Sequence, residues 1–275
     1  MKNDLAILYP VAGMSSRFGG KMKWLIKVGP RGESLIEYSV NQAINAGFNK
    51  IIFIVGEKTE GVFKNLFGSS YKGVSVYYAF QYFDCVSRDC PWGTIDALCS
   101  GLQLIDCPTV FCNGDDIYGE DTFRIIAKHF KNGELEDVTV GYKLENVLPD
   151  EGSVNRALFQ VEGNYVKDLN EFLGIGFHNL DEFGLKKDDF ISMNVFGLLP
   201  ETIKLLNERL IRFKEDNLRN RKVECLLPNE IGELVKQGLK MKIYPTPSKW
   251  YGVTNPEDEG VVREILVKDR VLDRY

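Results

Sequence analysis

The first half of the chain alternates short apolar runs with segments of helical periodicity. Apolar runs bounded by turn residues are typical of buried strands, and apolar residues at helical spacing are typical of amphipathic helices. The predicted strands are Leu5–Tyr9, Lys50–Val55, Val74–Phe80 and Thr109–Cys112. The predicted helices are Ser34–Gly47, Thr59–Phe67, Thr94–Leu104 and Asp121–Phe130. This alternation predicts an α/β fold, with right-handed crossovers and a mainly parallel sheet flanked by helices on both faces.

The second half has a different pattern, in which short strand-like runs follow one another closely. These runs are Val138–Tyr142, Ala157–Val161, Tyr165–Leu169 and Ile191–Gly197. Gly163-Asn164 is typical of a hairpin turn, and Phe172–Phe190 predicts a loop. We interpret this region as an antiparallel extension of the sheet that forms the second wall of a cleft. The remaining predicted elements are helices at Pro200–Lys214, Cys225–Lys236 and Pro256–Lys268 and a strand at Met241–Tyr244.

A glycine-rich turn, Val11–Lys23, leaves the first strand and carries Arg17, Lys21 and Lys23. Glycines let a ligand approach the backbone, and successive N–H groups in such a turn form an anion-binding concavity. An arginine adds a fork that matches phosphate oxygens, and a lysine adds a movable point charge. These features favour a triphosphate site that follows neither the P-loop nor the dinucleotide fingerprint. The alternative, favoured by composition alone, is an ordinary connection with scattered charges.

A second polar stretch, Asn113–Gly119, follows an apolar strand and contains the adjacent carboxylates Asp115 and Asp116. Two carboxylates at a strand end suit a magnesium ion that bridges phosphate oxygens. The alternative is a polar turn or a helix cap, because Asp and Asn are common in both. Ligands of parallel sheets collect at the carboxyl ends of the strands, where the glycine-rich turn also belongs. This shared edge favours the metal site.

Gln81 ends the third predicted strand, and Pro91–Thr94 leads into the next helix. A glutamine offers both a donor and an acceptor, so it can read the edge of a base. Gly93 permits close approach of a ligand, and Thr94 can cap the helix while it contacts that ligand.

Composition narrows the class of protein. The 275 residues are 44% hydrophobic and 27% charged, which is ordinary for a globule with a sizeable core. The net charge of −5 argues against a nucleic-acid-coating surface, and no apolar run approaches the ~20 residues of a membrane span. The six cysteines lack Cys-x-x-Cys spacing, and no signal-peptide pattern precedes them. We therefore expect a cytoplasmic protein with free thiols.

Together these stretches resemble the nucleotidyltransferase family that makes nucleotide sugars from a nucleoside triphosphate and a sugar 1-phosphate. The opening signature of the family, a strand followed by Ala-Gly-x-x-x-Arg and a lysine, is similar to Ala12–Lys23. Further segments resemble one bacterial-type subgroup and occur in the same order: Val28–Glu33, Pro91–Thr94, Asn113–Gly119, Ser192–Asn194, Leu226–Pro228 and Lys249–Thr254. The resemblance covers almost the whole chain.

The resemblance implies a Rossmann-like, GT-A-type sheet in a single domain over residues 1–275. Residues 1–135 would form the nucleotide-binding half. Residues 136–275 would form the sugar-binding half, whose antiparallel extension is the sugar-binding wall.

The resemblance also implies residue roles on the nucleotide side. Ala12 and Gly13 would hold the nucleotide through backbone contacts, and Arg17 would bind the departing pyrophosphate. Lys23 would contact the α-phosphate and the sugar phosphate. The lysine lies one residue further along than in the subgroup, so Lys21 competes for the same role.

Further roles follow for the base, the metal and the acceptor. Gln81, Gly93 and Thr94 would recognise a pyrimidine base, and Asp115 would bind Mg²⁺. Glu171 and Asn194 would contact the acceptor sugar, although Glu171 is also a plausible surface carboxylate. The family usually has a second metal ligand late in the chain, in the region of Thr254 or Asn255.

We therefore expect an enzyme that transfers a nucleotidyl group from UTP or dTTP to a sugar 1-phosphate and releases pyrophosphate. Three other functions use the same features: a GT-A-type glycosyltransferase, a phosphocholine cytidylyltransferase and a non-catalytic sensor of nucleotide sugars. The expected partners are the triphosphate and the sugar phosphate, without nucleic acid or membrane. The sequence predicts no oligomeric state and does not separate UTP from dTTP.

Overall fold

The computed structural model describes residues 4–13, 22–253 and 258–272. Within these ranges it contains thirteen strands and seven α-helices. The strands are β1 (Ala6–Pro10), β2 (Lys50–Val55), β3 (Ser70–Tyr71), β4 (Val74–Phe80), β5 (Thr109–Phe111), β6 (Asp116–Ile117), β7 (Asp137–Lys143), β8 (Val154–Glu162), β9 (Tyr165–Ile175), β10 (Phe190–Ser192), β11 (Phe196–Leu198), β12 (Met241–Pro245) and β13 (Tyr251–Gly252). The helices are α1 (Leu35–Ala46), α2 (Glu60–Phe67), α3 (Thr94–Ser100), α4 (Glu120–Lys131), α5 (Pro200–Asp216), α6 (Leu227–Lys236) and α7 (Asp258–Leu272).

One large sheet contains all of these strands except β6 and β13. Its order is β10-β8-β9-β12-β7-β11-β5-β1-β2-β4-β3. Strands β5, β1, β2 and β4 are parallel neighbours, and β7 is parallel to β12. Strands β8, β9, β10 and β11 pair antiparallel with their neighbours. The predicted parallel core with an antiparallel extension is confirmed.

The parallel strands are buried on both faces of the sheet. Ile7 and Tyr9 of β1 pack in one apolar core, and Ala6 and Leu8 pack in the other. Helices α1, α2 and α4 contribute to the first core, and α3, α5 and α6 contribute to the second. Since successive strand residues face opposite sides, a strand covered on both sides must be apolar throughout.

Helix α1 has strong local stop and start signals. Its N-cap Ser34 accepts a hydrogen bond from the Glu37 backbone N–H, and the Glu37 carboxylate accepts one from the Ser34 N–H at 2.8 Å. This reciprocal capping box satisfies two donors that the first turn would leave free. Gly47 ends the helix in the left-handed conformation, with φ of 97°. The predicted range Ser34–Gly47 is thus confirmed as the helix with its two caps.

Two predictions in the second half were wrong in part. Residues Phe172 to Ile175 continue β9 rather than beginning a loop, because Val154 of β8 pairs with Ile175, which is buried in the first core. The predicted strand Ile191–Gly197 is broken around Asn194, whose φ is 58°. The break lets β10 pair with β8 while β11 inserts between β5 and β7.

A small two-stranded sheet joins distant parts of the chain. In it, Tyr251 of β13 lies opposite Ile117 of β6, and Gly252 lies opposite Asp116. This pairing brings the segment after β12 to the stretch that contains the two adjacent aspartates. None of the described helices is both long enough and apolar enough to span a membrane.

Candidate active site

Two loops meet at the carboxyl ends of β1 and β5, which are parallel neighbours. A Cβ on Gly114 would lie 2.7 Å from Cγ1 of Val11, so only glycine lets the loops approach this closely. Lys23 Nζ donates a hydrogen bond to Asp115 Oδ2 at 2.7 Å and forms an ion pair with it. We call this region, residues 11–13, 23 and 113–116, the β1–β5 edge.

The two aspartates of the β1–β5 edge have different surroundings. The side chain of Asp115 is 35% exposed, whereas Asp116 is buried. Burial, followed by the adjacent negative charge of Asp115, raises the pKa of Asp116 to about 7. The Asn113 amide donates to Asp116 Oδ2 at 2.9 Å, and this hydrogen bond lowers the pKa and so partly offsets the rise.

The oxygen donors of this edge fit a hard divalent cation. Asp115, Asp116 and the Asn113 side chain all offer oxygen, the ligand atom that Mg²⁺ prefers. Among the described residues, no group of three or more His, Cys, Asp and Glu side chains is placed to hold a metal. Mg²⁺ commonly binds through one or two carboxylates together with substrate phosphates, so this donor set suits a metal that arrives with a polyphosphate.

A cavity of about 230 Å³ opens next to Asp116. We call it the Asp116 cavity. It brings together three of the predicted site residues, Thr94, Glu171 and Asn194. Its lining is Thr94, Asn113, Asp116, Asn155, Arg156, Ala157, Glu171, Ser192, Met193, Asn194, Leu226, Pro228, Asn229 and Trp250.

Gly93 and Thr94 hold the start of α3 against the segment before α6. Gly93 has a φ of 100°, and a Cβ there would lie 2.5 Å from the Cys225 carbonyl oxygen. The Thr94 hydroxyl accepts a hydrogen bond from the Leu227 N–H at 2.8 Å. Thr94 therefore caps α6, and the prediction that it caps its own helix was wrong, because Gly93 occupies the N-cap position.

The side chain of Gln81 is engaged away from the Asp116 cavity. Its Nε2 donates to Asp96 Oδ2 at 2.7 Å, and Asp96 also accepts from Lys214. Both Gln81 and Asp96 are buried. The donor half of the Gln81 amide is thus committed to α3, and its role in reading a base stays a prediction.

Glu171 and Asn194 reach the Asp116 cavity from two different strands. Glu171 lies on β9 opposite Ala157 of β8 and is exposed, so it forms part of the cavity rim. Asn194 is half-buried between β10 and β11 in a left-handed conformation. Asparagine tolerates this conformation better than most residues, and it interrupts an otherwise apolar run.

Several residues that line the cavity were not predicted as site residues. Arg156 and Asn229 belong to no recognised motif, and Trp250, which packs against the core and also lines the cavity, was assigned no role from the sequence. Burial lowers the pKa of Arg156 from its usual value, and the negative charge of Asp116 partly offsets this. A polar residue on a half-exposed strand gives no periodicity signal, so only the three-dimensional fold identifies Arg156.

Some predicted residues have no described contacts that bear on their roles. Arg17, Lys21, Thr254 and Asn255 lie outside the described residues. Ala12 and Gly13 follow β1 at the β1–β5 edge, and no described atom lies within 4 Å of a Cβ placed on Gly13.

Comparison with known proteins gives a match to a family model over part of the chain, and a fold. The family described as nucleotidyl transferase matches residues 20–154, and no curated protein matches the sequence. A structure named as a glucose-1-phosphate thymidylyltransferase from Bacillus anthracis is similar, with a TM-score of 0.69 and 15% identity over 96% of this chain and 95% of that one.

Two further solved structures share the fold. A UDP-glucose pyrophosphorylase complexed with UDP-glucose has a TM-score of 0.65 and 17% identity, over 97% of this chain and 99% of that one. A CTP:phosphocholine cytidylyltransferase from Streptococcus pneumoniae has a TM-score of 0.63 and 14% identity, over 96% and 99%. At these identities the likeness confirms the Rossmann-like fold and leaves the substrates open.

Proposed function

We propose that the chain belongs to the nucleotidyl transferase family, whose model matches residues 20–154, and that it transfers a nucleotidyl group from UTP or dTTP to a sugar 1-phosphate. The observation that carries this proposal is the Lys23–Asp115 ion pair at the β1–β5 edge, beside the Asp116 cavity. The β1–β5 edge offers charges suited to phosphates. The Asp116 cavity offers polar groups suited to the hydroxyls of a sugar.

The reaction needs positioning and charge neutralisation more than proton transfer. An oxygen of the sugar phosphate forms a bond to the α-phosphorus, the bond to the bridging oxygen breaks in line, and pyrophosphate leaves with the electron pair. The sugar phosphate is already anionic, so no general base is required. Lys23 would offset the charge that gathers at the α-phosphate, and Arg17 would bind the departing pyrophosphate.

A divalent cation completes the proposed nucleotide side. Asp115 and Asp116, with Asn113 beside them, would hold Mg²⁺, which when bound supplies positive charge to the phosphate oxygens. Lys23 is already paired with Asp115, so in this proposal it stands beside the phosphates that the cation neutralises.

The acceptor would occupy the Asp116 cavity. Glu171 at the rim and Asn194 in the wall would bind hydroxyls of the sugar ring, because a carboxylate accepts hydrogen bonds and an amide both donates and accepts them. Gln81, Gly93 and Thr94 would recognise the pyrimidine.

The lining of the cavity includes, among the described residues, a single aromatic residue, Trp250, beside the cationic Arg156. This lining disfavours phosphocholine, whose ammonium group calls for several aromatic faces and no nearby cation.

The test is a matrix of nucleoside triphosphates and sugar 1-phosphates in the presence of Mg²⁺, with pyrophosphate release as the readout. We expect release with UTP or dTTP and at least one hexose 1-phosphate, and loss of the signal when EDTA removes the metal. If pyrophosphate is released only with CTP and phosphocholine, the acceptor is phosphocholine and not a sugar 1-phosphate. Tight binding of a nucleotide sugar with no release from any pair would favour a sensor.

A further inference from the structure

The charges that line the Asp116 cavity are unequal. Asp116 and Glu171 are acidic, and Arg156 is the one lysine or arginine among the described lining residues. Lys23 is paired with Asp115 at the β1–β5 edge and does not line the cavity. Among the described residues, an anionic ligand that enters the cavity therefore meets one fixed cation, Arg156.

Arg156 is held in place, and it forms no ion pair with any described residue. Its two terminal nitrogens donate to the carbonyl oxygens of Asn155 at 3.0 Å and Val147 at 3.2 Å. Its guanidinium carbon lies 5.2 Å from the ring centre of Trp250, which is within the range of a cation–π contact. No Asp or Glu in the described part of the chain lies within ion-pair distance of this guanidinium.

One donor of Arg156 is left without a partner. Its Nε is buried and makes no hydrogen bond in the described structure. A buried donor without an acceptor is costly, and a half-buried charge without a counter-ion is more so. The guanidinium therefore has more hydrogen-bonding capacity than the described protein groups satisfy.

We propose that Arg156 binds the phosphate of the acceptor and holds it as the attacking nucleophile. This inference rests on the proposed function, since it names the group that receives the sugar 1-phosphate. Guanidinium binds phosphate oxygens through two parallel hydrogen bonds, so it restricts rotation of the phosphate as well as neutralising it. Contact with Trp250 and two backbone carbonyls fixes the plane of the guanidinium before the acceptor arrives.

The same geometry also explains why the phosphate, rather than a sugar hydroxyl, is the group bound. Asp116 lines the cavity and marks the end that faces the β1–β5 edge, where the nucleotide would react. An approaching phosphate is repelled by Asp116 and by the triphosphate, and Arg156 is positioned in the same cavity to offset that repulsion. A neutral hydroxyl needs no such cation.

The experiment compares Arg156→Gln and Arg156→Lys with the wild type and with Arg124→Gln. Arg124 is a matched control, because it lies on the exposed face of α4 and its ion pairs among the described residues are with Glu120 and Asp121. We expect Arg156→Gln to raise KM for the sugar 1-phosphate by about tenfold to a hundredfold, the loss typical of a charged hydrogen bond. KM for the nucleotide should stay within about twofold, and Arg156→Lys should recover part of the loss because it restores the charge.

If Arg156 has only a structural role, Arg156→Gln should lower the midpoint of thermal unfolding and change both KM values together. That outcome would overturn the inference. An acceptor KM unchanged in Arg156→Gln would overturn it as well, and pyrophosphate release by the wild type would still support the proposed function.

A second measurement keeps the two proposals separable. Inorganic phosphate is titrated into the nucleotide-saturated wild type and into nucleotide-saturated Arg156→Gln by calorimetry, without turnover. Weaker phosphate binding in the variant supports the inference even if no tested sugar phosphate reacts. Equal phosphate binding in both proteins counts against it, whatever the activity assay gives.

Discussion

The β1–β5 edge is made by two short loops at neighbouring strand ends, whereas the wall of the Asp116 cavity comes from six separate segments. At the edge, one glycine and one ion pair bring the loops together. In the wall, residues from α3, β8, β9, the β10–β11 break, α6 and the segment before β13 converge. The edge therefore depends on a few local contacts, and the wall depends on the long-range packing of the whole second half.

The largest expected effect falls on the edge. Replacing Lys23 by alanine should lower kcat/KM by about a hundredfold to a thousandfold, the loss typical of removing one donor that stabilises developing charge. Lys27→Ala is the control, because Lys27 is 57% exposed and pairs with Glu37 on the surface. Steady-state pyrophosphate release measures the effect. If Lys21→Ala loses far more activity than Lys23→Ala, the essential lysine is Lys21 and our assignment is wrong.

The next largest expected effect is a loss of protein stability when the wall of the Asp116 cavity is changed. Gly93→Ala should cost about 3–4 kcal/mol, because alanine is strained at φ of 100° and its Cβ would meet the Cys225 carbonyl at 2.5 Å. Gly133→Ala provides the control, since Gly133 also has a positive φ, 82°, but has no atom within 4 Å of a Cβ. Urea denaturation should show the larger shift for Gly93→Ala. Equal shifts would mean that contact with Cys225 is unimportant.

A third prediction tests how pH acts on the wall through Asp137. This buried carboxylate accepts hydrogen bonds from the Leu199 N–H and the Thr202 hydroxyl, each at 2.7 Å, and so holds the start of α5. Burial raises the pKa of Asp137 to about 6. The folded protein therefore keeps this proton to a higher pH than the unfolded chain does. Its contribution to stability is complete below about pH 4 and is lost as the pH rises through about 6.

The measurement is the free energy of unfolding of the wild type and of Asp137→Asn between pH 4 and pH 7. The variant lacks the titrating group, so its stability relative to the wild type should rise by about 2–3 kcal/mol over that range. Parallel pH profiles for the two proteins would contradict the assignment.

The smallest effect separates strain from binding at Asn194. Alanine at φ of 58° should be less stable than glycine at the same position by about 1 kcal/mol. Both variants lose the amide, so both should raise KM for the acceptor to a similar extent. If Asn194→Gly leaves KM for the acceptor unchanged, Asn194 shapes the backbone turn and does not bind the acceptor.

The difference between edge and wall also explains what the sequence could predict. The bounds of β2 and β4 and the capped helix α1 match the predictions, because each depends on a local apolar pattern or on adjacent residues. The rules of parallel sheets predicted that the glycine-rich turn and Asn113–Gly119 lie at one edge. They did not predict that β1 and β5 are neighbours in the sheet.

The wall was harder to predict, because its residues become neighbours only through long-range pairing. The break at Asn194 depends on β11 inserting between β5 and β7, and no period in the sequence encodes that insertion. The pairing of β6 with β13 joins two very short strands, which are too brief for a strand signal. Arg156 gave no signal at all, since its place in the cavity wall and its lack of an ion pair among the described residues emerge only in the folded structure.

The pairing of β6 with β13 has a consequence for how the protein is made. During synthesis the ribosome releases the aspartate loop long before the stretch around Tyr251 emerges, so a nascent chain carries both phosphate-side motifs with one flank unsupported. That flank cannot close until Tyr251 has emerged, so a half-made chain lacks a finished pocket.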